Sequence, residues 1–178
     1  MNTNTVSRGS ILDTIPEINA YTIATLLIAG AFATLAFDLF GQTVSPLLKG
    51  IVPTLGSKLA PVGLANQSLG AITGLGGKFI GSNGIGHLVH LITGLVAYPI
   101  GYMFIARPIS RVAPFVPWWV VGIAYGVVLW VFALYVMAHL VAGNPAFLGW
   151  SGITWVALWG HIVFALVIAG FVHWRHER

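Results

Sequence analysis

Four stretches, near residues 19–40, 85–106, 117–142 and 149–172, run almost without charge. An α-helix needs about twenty residues to cross roughly 30 Å of hydrocarbon, and each stretch reaches that length. Inside lipid every backbone N–H and C=O must find a partner within the protein, so such stretches fold as helices. The rest of the composition agrees. Only 7% of the residues are charged, whereas soluble domains carry about a quarter, and four acids with eight bases cannot coat a globule of this size. The expected fold is therefore all-α. It is an integral membrane four-helix bundle forming a single domain over residues 1–178, with an interfacial or re-entrant periplasmic segment, residues 41–84, between the first two helices.

Punctuation in the sequence places the helix ends. Gly41 followed by Ser45-Pro46 is expected to stop the first span, and Gly143-Asn144-Pro145 the third. The short connection after the third span makes the last two helices antiparallel neighbours. Arg8, Asp13 and Glu17 precede a first apolar stretch longer than the apolar core of a secretion signal, which reads as a retained helix. Basic residues near span ends mark the cytoplasmic side. Arg8, Arg107, Arg111, Arg175 and Arg178 fall on one side and Lys49, Lys58 and Lys78 on the other. That count favours both termini in the cytoplasm of a bacterium, with the chain in its inner membrane. Trp118, Trp119, Trp150 and Trp155 suit interfacial anchors.

The 41–84 segment contains no acid and stays apolar. Leu47, Leu48, Ile51, Val52 and Leu55 recur at helical spacing, as in a helix lying among lipid headgroups, with Pro53 interrupting. Seven glycines between Gly70 and Gly86 permit a tightly turned path.

Several chemistries are excluded. The chain has no cysteine, so disulfides and thiolate ligands or nucleophiles are absent. Its bases are scattered at span ends and form no stripe that would bind nucleic acid. Gly74-Leu75-Gly76-Gly77-Lys78 fails the spacing of a phosphate-binding loop. Asn144-Pro145-Ala146 matches the aquaporin half-helix signature but occurs once, and reads as a turn. No Ser-His-acid set or carboxylate pair suits hydrolysis.

What remains is a group of ionisable residues in the spans: Asp38, His87, His90, His139 and His161. A central charge in a membrane helix costs about 2.5–3.5 kcal/mol, so such residues are functional candidates. Asp38, His87, His90 and His139 share one predicted depth near the periplasmic boundary and are the expected transition-metal set. Neutral imidazole is the commonest nitrogen ligand and a carboxylate can coordinate or orient it. His90, His139 and His161, with Phe132 and Tyr135 as aromatic walls, are the expected b-haem set. His87 and His90 share a face continued by Gly94, Ala97 and Gly101, residues small enough for close helix packing. The plainer alternatives are solvation at the headgroups for His87, His90 and His139, and a helix-to-helix hydrogen bond for His161. His173 and His176 read as a solvated cytoplasmic end.

The runs Gly86–Arg107, GHLVHLITGLVAYPIGYMFIAR, and Ala124–Leu140, AYGVVLWVFALYVMAHL, resemble segments of small bacterial inner-membrane proteins to which no activity is assigned. The run Ala24–Leu48 is similar in character. The resemblance implies a bacterial inner membrane and transfers no functional residue. Four-helix b-type cytochromes are a more distant likeness; they place ligand histidines on facing helices, which here means His87 or His90 against His139 or His161. The expected function is a non-catalytic membrane subunit with a His/Asp metal or haem site, serving a respiratory or other electron-transfer complex and contacting lipid and other membrane subunits. The alternatives are a purely structural accessory subunit and a small transporter using Asp38.

Overall fold

The computed structural model describes residues 15–75, 83–113 and 115–176. Arg8, Asp13, Lys78 and Arg178, used in the topology argument, lie outside them. Four described helices are long and apolar enough to cross a membrane: α1 (Ala20–Leu47), α3 (Gly84–Val112), α4 (Trp118–Val141) and α5 (Gly152–His176). A shorter helix, α2 (Pro61–Thr73), lies between the first two. The chain is thus a multi-pass membrane protein built as a helical bundle.

Asn19 caps α1, its side chain accepting from the Thr22 N–H at 3.0 Å. The helix then runs through Gly41 to Leu47, so the expected stop at Gly41 is corrected. Gly41 is a packing glycine: a Cβ there would collide with the Leu59 side chain, and the Leu59 N–H donates to the Gly41 carbonyl at 3.0 Å. Prolines inside the long helices are accommodated in one repeated way. Residues Phe40–Val44, Thr93–Ala97 and Tyr102–Ala106 form wide π-helical turns, each ending two residues before Pro46, Pro99 or Pro108. A proline ring presses on the carbonyl four residues back and removes its hydrogen bond. Widening the turn relieves that pressure and lets the freed carbonyls be satisfied further along, as lipid requires.

Helix α5 is the central element, with α1 and α4 packed along it. The crossings rest on small residues. A Cβ at Gly126 would stand 2.7 Å from the Ile162 Cα, and one at Gly30 would stand 2.6 Å from the Leu95 carbonyl oxygen. With no hydrophobic drive between helices in lipid, such close backbone approach supplies the van der Waals contact that holds them. Ala29, Ala33, Met103, Val156, Ala165, Ile168 and Ala169 form the fully enclosed centre.

Helices α3 and α4 meet only over part of their length. Toward Arg107 they touch, and the Tyr125 hydroxyl donates to the Tyr98 carbonyl at 2.6 Å. In the other half they part, and α2 fills the gap by packing on both. Asn66 of α2 lies buried against Gly86, Ser68 donates to the Met137 carbonyl at 3.5 Å, and Gln67 accepts from the Asn144 side chain at 3.0 Å. The segment leading to α2 is fixed through Ser45, which donates to the Ser57 carbonyl at 3.0 Å and accepts from the Gly56 N–H at 3.1 Å. No helix spans residues 48–55, contrary to the apolar spacing there. Gly50 and Gly56 take positive φ values of 79° and 115°, which turn the chain before a helix can form.

After Asn144-Pro145 the chain makes a left-handed turn, with φ of 49° at Phe147, 53° at Leu148 and 55° at Trp150. This conformation costs roughly 1–2 kcal/mol per non-glycine residue. Aromatic packing offsets it: the Phe147 ring lies 4.7 Å from Trp130 and 5.6 Å from Tyr135. The Thr154 hydroxyl also donates to the Phe147 carbonyl at 2.5 Å.

Candidate functional site

Beneath α2, where α3 and α4 have parted, the bundle leaves a partly open cavity of about 200 Å³. Its walls come from all four long helices and from α2, and they are mostly apolar and aromatic, including Phe37, Tyr98, Phe132 and Phe164. Two imidazoles, His90 and His161, also line it.

Asp38 and His90 are brought together from α1 and α3. The His90 Nε2 lies 3.1 Å and 3.2 Å from the two carboxylate oxygens of Asp38. With the carboxylate as acceptor, Nε2 carries the proton and donates, and Nδ1 of the neutral ring keeps its lone pair without a hydrogen-bond partner. Gln42, one turn beyond Asp38, donates to the same carboxylate at 3.3 Å. Asp38 is the sole acid between Glu17 and Glu177, so this carboxylate has no like charge in the spans to repel it. A carboxylate holding an imidazole N–H is the arrangement that orients a histidine and raises the basicity of its other nitrogen.

His161 comes from the middle of α5 and is 6% exposed. Its Nδ1 lies 2.7 Å from the Ala157 carbonyl. A carbonyl only accepts, so Nδ1 bears the proton and Nε2 is left as an unpartnered acceptor. The Phe37 ring touches both imidazoles, with centroids 5.1 Å from His161 and 6.1 Å from His90. Tyr98 packs on His161 with ring centroids 6.3 Å apart.

The remaining expected residues sit elsewhere. His87 is exposed on α3. His139 lies outside the cavity wall and closes the end of α4, its Nδ1–H donating to the Asn144 carbonyl at 2.7 Å while its ring rests on Tyr135 at 5.4 Å. Of the two expected aromatic walls, Phe132 lines the cavity and Tyr135 does not. The expected metal set is thus divided, with Asp38 and His90 together and His87 and His139 apart from them. Among the described residues no group of three or more His, Cys, Asp or Glu side chains is placed to hold one ion.

Sequence reasoning missed Phe37, Tyr98 and the whole of α2. A signal existed for each of the last two. Tyr98 lies eight residues after His90 and four after Gly94, on the face already singled out. Helix α2 opens with Pro61 at its first position and ends before Gly74 at φ 69°, the usual asymmetry of proline at the start and glycine past the end.

Comparison with protein-family models, with curated proteins and with solved structures finds no match.

Proposed function

We propose that the protein is a non-catalytic subunit of a bacterial inner-membrane electron-transfer assembly whose bundle holds a redox-active group in the cavity behind Asp38 and His90. One observation carries this reading: the sole acid of the spans is paired with an imidazole on the wall of an apolar cavity that also receives a second imidazole. Ionisable groups in a membrane are costly, and here they stand around an unfilled space. A structural role alone would be met by apolar packing.

The proposed orientation has both termini in the cytoplasm. In its support, Arg111 and Arg175 gather at one end of the bundle. Arg111 donates to the His176 carbonyl at 3.2 Å, and Tyr21 donates to the Arg175 carbonyl at 2.6 Å with the Arg175 guanidinium 4.3 Å above its ring. Lys49 and Lys58 belong to the opposite end. There Leu47 and Ile51 are each 73% exposed, which suits contact with headgroups at the periplasmic face. Reporter fusions after Lys58 and Arg111 are expected to read periplasm and cytoplasm; the reverse pattern contradicts the orientation.

A redox-active metal ion in this cavity would find His161 and His90, with Asp38 orienting the latter, and would supply one-electron chemistry; at about 200 Å³ the space does not admit the macrocycle of the expected b-haem. The test is to purify the protein from its own membrane in mild detergent. Its visible spectrum, its metal content and the ultraviolet spectrum of an organic extract are then measured. A redox group near one per chain in any of the three is expected. Its absence from all three would assign the protein to a purely structural role.

A further inference from the structure

The free nitrogens on the cavity wall are both acceptors. The His161 proton is committed to the Ala157 carbonyl and the His90 proton to Asp38, and both rings line the space, so each has one lone pair left for an occupant. An occupant must therefore bring donors, because a buried acceptor left unpaired costs about 1–3 kcal/mol. The walls specify the rest. Phe37, Tyr98, Phe132 and Phe164 line the space, an aromatic wall that matches a flat aromatic molecule better than a flexible chain. At about 200 Å³ the cavity falls below the roughly 300 Å³ at which drug-sized pockets begin, a size for one or two rings and too small for a macrocycle. Phe132 is 42% exposed, so at that point the wall is one side chain thick toward the outside of the bundle.

We infer that the cavity binds a lipid-soluble aromatic alcohol of the quinol class, its hydroxyls donating to Nε2 of His161 and Nδ1 of His90. This rests on the reading that the bundle holds a redox-active group, and it names the chemical class of that group. The Asp38 carboxylate strengthens the bond by making His90 a better acceptor, and the Thr34 hydroxyl, buried on the cavity lining without a partner, gives the ring oxygen a donor in turn. The oxidised, carbonyl-bearing form of the same ring lacks the protons the two imidazoles require and binds more weakly.

The test uses the full chain in phospholipid nanodiscs, with empty nanodiscs as the reference for partition into lipid. 2-Naphthol and 2-methoxynaphthalene form a matched pair that differs in the hydroxyl donor. The naphthol is expected to bind about tenfold tighter, the equivalent of one well-made hydrogen bond. His161→Phe, which keeps a buried aromatic ring and removes the acceptor, is expected to bring that ratio to about twofold or less without changing the affinity for the methyl ether. Ala133→Leu, which fills the cavity, is expected to weaken both ligands, and covers the case in which His161→Phe does not fold. Equal binding of the two ligands by the unaltered protein, or no binding above empty nanodiscs, overturns the inference. Haem or metal at one per chain without naphthol discrimination would overturn it and leave the redox-subunit reading standing. Discrimination in a protein that purifies without any redox group would do the opposite.

Discussion

The two halves of this bundle are built on opposite principles. Toward the end that carries Arg111 and Arg175, glycines and alanines bring helices together until backbone meets backbone, as at Gly126 against Ile162. Toward the other end α3 and α4 part, a short helix is wedged between them, and a cavity with two imidazoles remains beneath it. The costly features gather in this second half: a carboxylate paired with an imidazole, a strained left-handed turn and an unfilled space. In a membrane, tight packing is the main source of stability between helices. A half that gives it up must be held by other means, and here these are α2, the hydrogen bonds of Ser45 and Asn144, and the aromatic cluster around Phe147.

This contrast can be broken at its strongest point. Gly126→Leu places a side chain against the Ile162 backbone, which cannot yield without separating α4 from α5. It is expected to cost about 3 kcal/mol, read as a fall in midpoint during thermal unfolding in detergent. An unchanged midpoint would mean that the tight half is not tight.

Asp38→Asn addresses the parted half. It replaces a charged acceptor of the His90 N–H with a neutral one at a site only partly enclosed. A loss of about 1 kcal/mol is expected, and a gain in stability would show the carboxylate to be strained in its place.

Ala133→Leu fills space that the tight half does not have. It is expected to stabilise the protein by about 0.5–1 kcal/mol even as it weakens the binding of both ligands. The smallest effect is expected at Gly63 in α2, where a Cβ meets nothing within 4 Å. There Gly63→Ala should add about 0.5 kcal/mol through helix propensity alone. A loss on that substitution would mean that α2 is more closely packed than its open surface indicates.

The same contrast marks what was legible in the sequence. The spans were, because lipid imposes a length and an apolar character that no other environment asks for. The meeting of Asp38 with His90 was also legible, since both sit at one depth and His90 lies on a face lined with small residues. Gly41 misled because a glycine that lets Leu59 approach has the same letter as one that ends a helix, and only the tertiary neighbour distinguishes them. His139 misled for a related reason. Its depth suited a shared site, but the turn at Asn144 brings a carbonyl within reach of its Nδ1, and that contact is set by loop geometry. His161 belongs to the expected b-haem set and stands apart from the four residues of the periplasmic layer. It proves to be the residue that the parting of α3 and α4 opens to the cavity. Such a separation of helices follows from how four faces fit together, and no single helix carries it in its periodicity.

The central claim is that His161 turns an unprotonated nitrogen into the cavity. Nitrogen-15 spectra of the histidine-labelled protein in nanodiscs test this directly, with His161 assigned through the His161→Phe variant. The account predicts the neutral tautomer protonated at Nδ1, with an Nε2 resonance that shifts on addition of 2-naphthol and stays put with 2-methoxynaphthalene. A proton on Nε2, or a resonance indifferent to both ligands, would contradict it.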